Sequence, residues 1–258
     1  MKDGIADLKR ELKELRLTHM AAILEDELAW ATKERPSYTE LVGRLVSKQL
    51  TRRREHARDR RLKAAGLPEA KRVEDYNFAF PDKIDARLVR ELATLRFVQA
   101  KESVWIAGTP GTGKTHIATA LGLRAVEVGY SVRYSSLAAI ARRLHAAIAD
   151  HSEEACLKGL DRIDVLIAED LGFANIPQEA LSLLFELFNR RYERRSTIVT
   201  SNLGVEAAEK SLGQQAVASA ILDRLLHHAH VVTITGPSFR AEHRLNKRRA
   251  EPAARADT

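Results

Sequence analysis

Residues 5 to about 33 place Ile5, Leu8, Leu12, Leu15, Met20, Ile23, Leu24 and Leu28 mostly three and four positions apart. That spacing predicts an amphipathic helix or a helical hairpin. Pro36 breaks it. Ser37-Tyr38-Thr39-Glu40 then forms a capping box, with Ser37 capping the next helix and Glu40 reaching back. Tyr38, Leu41, Val42, Leu45, Val46 and Leu50 continue the apolar stripe, and Gly66-Leu67-Pro68 ends the unit. No strand is needed anywhere in it, so residues 1–68 read as a small all-helical domain.

A different pattern follows. Residues 69–83 read as a linker anchored by Tyr76, Phe78 and Phe80, and a helix with Ile84, Leu88, Val89, Leu92 and Leu95 comes next. Short apolar runs at 104–107, 131–135, 163–168, 196–200 and 231–235 then alternate with helical spacings near 114–128, 137–149, 178–193 and 216–228. Apolar strands separated by helices of this length predict an α/β domain with a five-stranded parallel sheet covered on both faces. It occupies 69–245, and residues 246–258 read as a basic, disordered tail.

The first strand of this series leads into Gly108-Thr109-Pro110-Gly111-Thr112-Gly113-Lys114-Thr115, a complete G-x-x-x-x-G-K-[ST] loop followed at once by helical spacing. Strand, loop and helix are in the register that the chemistry requires. Glycines at 108, 111 and 113 let the backbone wrap a polyphosphate, and the helix N-terminus attracts its charge. Lys114 reaches the β- and γ-phosphates, and the Thr115 hydroxyl ligates Mg²⁺. The chain is expected to bind ATP.

Charge adds a second ligand class. The net charge is +7, and between Arg44 and Arg72 eleven basic residues face only Glu55, Asp59 and Glu69, an excess of +8 that leaves the rest nearly neutral. Arg52, Arg53, Arg54, Arg58, Arg60 and Arg61 are its densest part, and such a concentration suits the phosphate backbone of DNA. No apolar run approaches a membrane span. The N-terminus is acidic and amphipathic and not a secretory signal. The single cysteine, Cys156, permits no internal disulfide. Together these predict a cytoplasmic protein without membrane contact.

Further candidate chemistry lies at later strand ends. Asp164-Val165-Leu166-Ile167-Ala168 runs into Glu169 and Asp170, two carboxylates at the end where open α/β sheets bind ligands. One is expected to hold Mg²⁺ and the other to polarise the attacking water. Asn202, after the fourth strand, can position that water, and equally can belong to a turn or a cap. Arg224, on a helix, can be a finger aimed at a γ-phosphate or simply pair with Asp223.

GTPGTGKTHIA, DVLIAEDLG, RRYERRSTIVTSN, AILDRLLHHAHVVTITG and the following SFR together resemble the IstB-like ATP-binding proteins of insertion sequences, over roughly residues 5–245. These are AAA+ ATPases of the clade of the DnaC helicase loader and the DnaA initiator. The resemblance implies an AAA+ P-loop fold and a transposition helper that binds ATP, assembles as an oligomer through the ATP site on double-stranded DNA, and activates a partner transposase. It assigns Asn202 the sensor-1 role and Arg224 the finger donated to a neighbouring subunit. Arg240 takes the sensor-2 role, reading the γ-phosphate in its own subunit. The family commonly orders its acidic pair Asp then Glu or Asp. Here Glu169 takes the metal position and Asp170 the base position, because a one-residue shift would leave Leu171 as base. A DnaC-type helicase loader, a nucleotide-gated DNA scaffold with negligible turnover and, more remotely, a small-molecule kinase are the rival readings.

Overall fold

In the computed structural model, which describes residues 2–80, 82–171, 176–211 and 216–239, the first apolar stretch is a hairpin of α1 (Lys2–Glu14) and α2 (Thr18–Glu34). The break comes at Arg16, whose φ is 59°. Arg16 N–H donates to the Lys13 carbonyl and Leu17 N–H to the Leu12 carbonyl, the paired bonds of a left-handed helix end. A third helix, α3 (Tyr38–Ala65), follows, and Glu40 N–H donates to Ser37 Oγ at 3.2 Å at its start.

The chain forms two compact units, Met1–Arg60 and Arg61–Thr258. In the first, α2 buries Ala21, Leu24 and the carboxylate of Glu27. Glu27 is stable there because Arg44 and Lys48 of α3 both donate to it, and the Lys48 bond above all holds its pKa below the ordinary carboxylate value against the opposing effect of burial. Gln49 Oε1 accepts from Met20 N–H at 2.8 Å and so also joins α3 to α2. The apolar stripe on α3 is only partly core. Leu45 is buried, whereas Tyr38, Val42, Val46 and Leu50 are exposed. Residues four apart drift around a helix, so one neighbour cannot cover all of them.

The second unit opens with α4 (Ala86–Leu92) and α5 (Arg96–Ala100), then alternates β1 (Ser103–Gly108), α6 (Lys114–Val128), β2 (Val132–Ser136), α7 (Leu137–Ala149), α8 (Glu153–Asp161) and β3 (Val165–Glu169). It continues through α9 (Gln178–Arg191), β4 (Ser196–Ser201), α10 (Val205–Ser211), α11 (Ala216–Leu226) and β5 (Ala229–Ile234). The five strands are parallel, in the order β2-β3-β4-β1-β5. Alternate residues of the central strands β1, β3 and β4 feed opposite cores. Trp105, Ala107, Leu166 and Val199 pack with α7, α8, α9 and α11, while Val104, Ile106, Ile167 and Ile198 pack with α6 and the residues before β1. Burial on both faces is why β1 and β3 read as nearly unbroken apolar runs.

One buried charge ties the sheet's N-terminal edge together. Arg191, at the end of α9, is 1 % exposed. Its guanidinium donates to the carbonyls of Leu160 (2.9 Å), Ile163 (2.8 Å) and Ser196 (2.6 Å), and to Thr197 Oγ1 (3.3 Å). Burial pushes its pKa down to about 9, which still leaves it charged at neutral pH, with carbonyl dipoles as its solvation. Arg191→Lys keeps the charge but cannot fork to three directions, so at least one buried carbonyl loses its donor. We expect a loss of about 3 kcal/mol, or roughly 6–12 °C in thermal midpoint. A midpoint equal to wild type by calorimetry would contradict the role assigned to this fork.

Candidate functional site

Gly108 closes β1 and Lys114 opens α6, so the chain must reverse within five residues. It does so with φ of 86° at Gly111 and 95° at Gly113, a region that side chains with a Cβ avoid. Space is as restrictive as torsion. A Cβ on Gly113 would stand 2.5 Å from Tyr76 Cε2, and one on Gly108 would stand 2.5 Å from the Ile234 carbonyl oxygen. Inside the turn Thr112 Oγ1 donates to the Thr109 carbonyl at 2.8 Å. Lys114 Nζ folds back onto the carbonyls of Gly108 (2.7 Å) and Thr109 (2.9 Å), which places its ammonium inside the loop.

The loop forms one side of a cavity of about 560 Å³, the size of a small-molecule site. Tyr76, Asn77, Phe80 and Phe239 are among the residues that complete its wall, together with Lys71, His116 and Glu169. Tyr76 is fixed from three directions. Its hydroxyl donates to the Thr112 carbonyl at 2.9 Å, and its ring meets Phe78 and His116 edge-on at 4.9 and 5.3 Å. Burial raises its pKa to about 12, so the phenol stays a neutral donor. Phe239 N–H donates to the Gly111 carbonyl at 3.0 Å, and its ring packs edge-on against Phe80 at 5.0 Å. The segment after β5 is thus fastened to the loop. Tyr76 and Phe80 were readable in sequence as the Tyr-x-Phe-x-Phe anchors, but their place in the cavity wall was not. Phe239 was readable only as the aromatic before Arg240 in Ser238-Phe239-Arg240, and His116 carried no separate signal.

The acidic strand end divides into two pairs. Thr115 Oγ1 donates directly to Glu169 Oε1, so the loop hydroxyl and the first carboxylate converge on one point. Asp170 turns away, with φ of 56°. Its N–H donates to Thr200 Oγ1 and its Oδ1 accepts from Asn202 Nδ2, both at 3.0 Å. Asn202 is therefore brought to Asp170, and Glu169 to Thr115. Of these four, only Thr115 and Glu169 line the cavity.

Arg224 lies elsewhere. Its Nε donates to Asn189 Oδ1 at 2.9 Å, its Nη1 to the Ala220 carbonyl at 3.2 Å, and its guanidinium sits 4.7 Å from the centre of the Phe185 ring. Pairing with Asp223 is replaced by these contacts, because neighbouring residues on a helix point in different directions. Arg240 and the tail at 246–258 lie outside the described residues. On α3, Arg52, Arg53, Arg54, Arg58 and Arg60 are all exposed and Arg61 is half-buried. Arg52, Arg53 and Arg60 share a cavity of about 540 Å³ with Arg16, His19 and His56. Weak exposed pairs, Arg52 with Glu55 at 3.3 Å and Arg58 with Asp59 at 3.2 Å, leave most of that charge uncompensated.

Comparison with known proteins agrees with this architecture. The chain is 38% identical over 234 residues to the insertion sequence IS21 putative ATP-binding protein of Pseudomonas aeruginosa, covering 91% of this chain and 88% of that one. It is 30% identical to the IS232 putative ATP-binding protein of Bacillus thuringiensis subsp. berliner, covering 96% and 99%. Among solved structures, the fold matches the replication initiator DnaA bound to AMPPCP and single-stranded DNA, with a TM-score of 0.57 at 20% identity over 73% of this chain and 58% of that one. It also matches the DnaC helicase loader, with a TM-score of 0.55 at 18% identity over 68% and 99%. The family model described as IstB-like ATP binding protein matches residues 10–247, and with the phosphate loop, the parallel sheet and the insertion-sequence relatives in agreement, the chain belongs to the IstB-like ATP-binding protein family.

Proposed function

We propose that this protein hydrolyses ATP and acts as a transposition helper, assembling on double-stranded target DNA through its nucleotide sites and activating a transposase. The observation that carries the nucleotide half is the convergence of the phosphate loop, Lys114, Thr115 and Glu169 on one cavity. The loop amides and Lys114 receive the polyphosphate. Thr115 and Glu169 offer hard oxygen donors suited to Mg²⁺, which neutralises phosphate charge when bound. Asp170 is the base in this reading, and because it and Asn202, bonded to it, stand outside the cavity wall, it must rotate toward the γ-phosphate to take the proton of the attacking water. Arg240 reads the γ-phosphate in its own subunit.

The DNA half is supported by the exposed arginines of α3 and by the insertion-sequence names of the relatives. The helical residues 1–68 carry the DNA and partner contacts in this reading, residues 69–245 are the motor, and the protein works in the cytoplasm. A DnaC-type loader would use the same motor with a helicase as partner. An integrase-type transposase gene beside this one favours the helper. A pure scaffold would bind ATP and DNA without measurable turnover.

Arg224 is absent from the wall of its own nucleotide cavity, which fits action at a neighbouring subunit. Lys114→Ala should abolish tight ATP binding. Mixed with Arg224→Ala subunits, which are also inactive alone, it should recover part of the ATPase, since sound sites form at mixed interfaces. No recovery at any ratio, in assemblies confirmed as mixed, would remove Arg224 from the finger role.

Replacing Arg52, Arg53 and Arg54 together should weaken binding to all duplex sequences alike and lower the salt slope by roughly one per lost phosphate contact. An unchanged affinity and slope would assign this face to solvent or to a protein partner.

The order Glu169–Asp170 sets the clock. Asp170 is a methylene shorter than glutamate, so it stands back from the water, and poor base alignment costs on the order of 10²-fold in rate. Tight ATP binding with turnover well below about one per second is expected. The double exchange Glu169→Asp with Asp170→Glu should speed hydrolysis while leaving nucleotide affinity near wild type. Turnover that is unchanged or slower would refute the slow clock.

A further inference from the structure

Two segments that bear no part of the nucleotide chemistry meet on the surface of the second unit. Tyr192 and Glu193 follow α9, and His227 and His228 follow α11. Arg191 to Arg194 form a tight turn closed by Arg194 N–H to the Arg191 carbonyl at 3.0 Å. Tyr192 holds φ −55° and ψ 127°, and Glu193 holds φ 54°. That is a type II turn with glutamate at the corner where glycine is the unstrained choice. The strained corner directs the carboxylate at the histidines. His228 Nε2 lies 3.2 Å from Glu193 Oε1. The two imidazoles lie 4.2 Å apart. The Tyr192 hydroxyl bonds His227 Nδ1, and its ring stacks on both histidines at 5.8 and 6.2 Å.

We infer that Glu193, His227 and His228 form a binding site for one divalent transition-metal ion of the zinc class, bridging the turn after α9 to the end of α11. The donor set is two imidazole nitrogens and one carboxylate oxygen, which suits Zn²⁺ and leaves the fourth position for water. Tetrahedral zinc at about 2.0–2.1 Å from each donor spaces its ligands about 3.3 Å apart. The His228–Glu193 edge already has that spacing, and all three donor atoms lie within 4.8 Å of one another. Closing the remaining gap takes a shift of up to about 1.5 Å. Side chains that are 49% exposed at His228 and 59% exposed at Glu193 can make it by rotating. The Tyr192–His227 bond then serves as the outer-shell contact that orients a ligating ring. Mg²⁺ is excluded by its preference for oxygen donors, which separates this site from Thr115 and Glu169. The ion would join the same two elements that Arg224 joins through Asn189.

The test uses full-length protein without an affinity tag, free of nucleotide, and equilibrium dialysis against Zn²⁺ in the presence of excess Mg²⁺. One Zn²⁺ per chain should bind saturably. Removal of a ligand should cost no less than the roughly 10–100-fold seen for outer-shell partners, so Glu193→Gln and the double variant His227→Gln with His228→Gln should each lose at least tenfold. Co²⁺ in wild type should develop the intense visible absorption of a tetrahedral site, absent from the double variant. Each variant is checked for wild-type ATP binding and thermal midpoint, and the conservative Glu193→Gln decides the matter if the double variant fails to fold. Zn²⁺ binding that is absent, equal in wild type and Glu193→Gln, or displaced by Mg²⁺ would overturn the site and leave a hydrogen-bonded surface cluster only.

Discussion

Everything in the second unit depends on the reversal between β1 and α6. A strand buried on both faces has no polar side chain to offer, so its chemistry must appear where it ends. At that end the backbone turns through left-handed geometry at Gly111 and Gly113, and the Tyr76 ring leaves no room for a Cβ at Gly113. The chain then enters α6 with Lys114 folded inside the turn. The glycines, the aromatic wall and the segment after β5 are parts of one constraint: to hold the loop open in a left-handed path without letting it collapse.

The same strand ends separate two carboxylates that are adjacent in sequence. Glu169 is still in the strand direction and meets Thr115, whereas Asp170 takes the left-handed turn and meets Asn202 and Thr200. One residue of backbone thus divides an acidic pair into a member that meets the phosphate loop and lines the cavity and a member held against the end of β4. The left-handed torsion at Asp170 is a strained one for a residue with a Cβ. It is held by three hydrogen bonds to β4 and its end: Asp170 N–H and Leu171 N–H to Thr200, and Asn202 to the carboxylate.

Much of this was legible before any coordinates. The strands, α6 and α7 follow from apolar runs and helical spacing, most clearly at β1 and β3, where cover on both faces demands apolar residues at nearly every position, and less so at the partly exposed edge strands β2 and β5. The phosphate loop announces itself through glycines whose torsions no other residue tolerates. Where signals failed, the physics was non-local or disguised. The hairpin break rests on a left-handed Arg16 where glycine would have marked it, and Lys101 and His151 end α5 and α7 in the same conformation. Helix α8 is short, and its acidic first turn at Glu153 and Glu154 was a usable cue. The exposure of Val42 and Val46 on α3 could not be read from periodicity, which records a face but not whether anything covers it. Tyr76 over Gly113 and Asn202 on Asp170 are contacts between residues far apart in sequence, and no single-chain pattern encodes them.

Arg191 has one more consequence. Its charge is met by peptide dipoles and by the fields of Asp161 and Asp164, and its burial gives mobile ions little access to it. Exposed arginines such as those on α3 behave oppositely, since their attraction for a polyanion fades as salt accumulates around both partners. The molecule therefore keeps its two positive systems under separate control. Ionic strength that screens the surface arginines leaves the Arg191 guanidinium holding its carbonyls, so the surface field can be weakened while the fold stands.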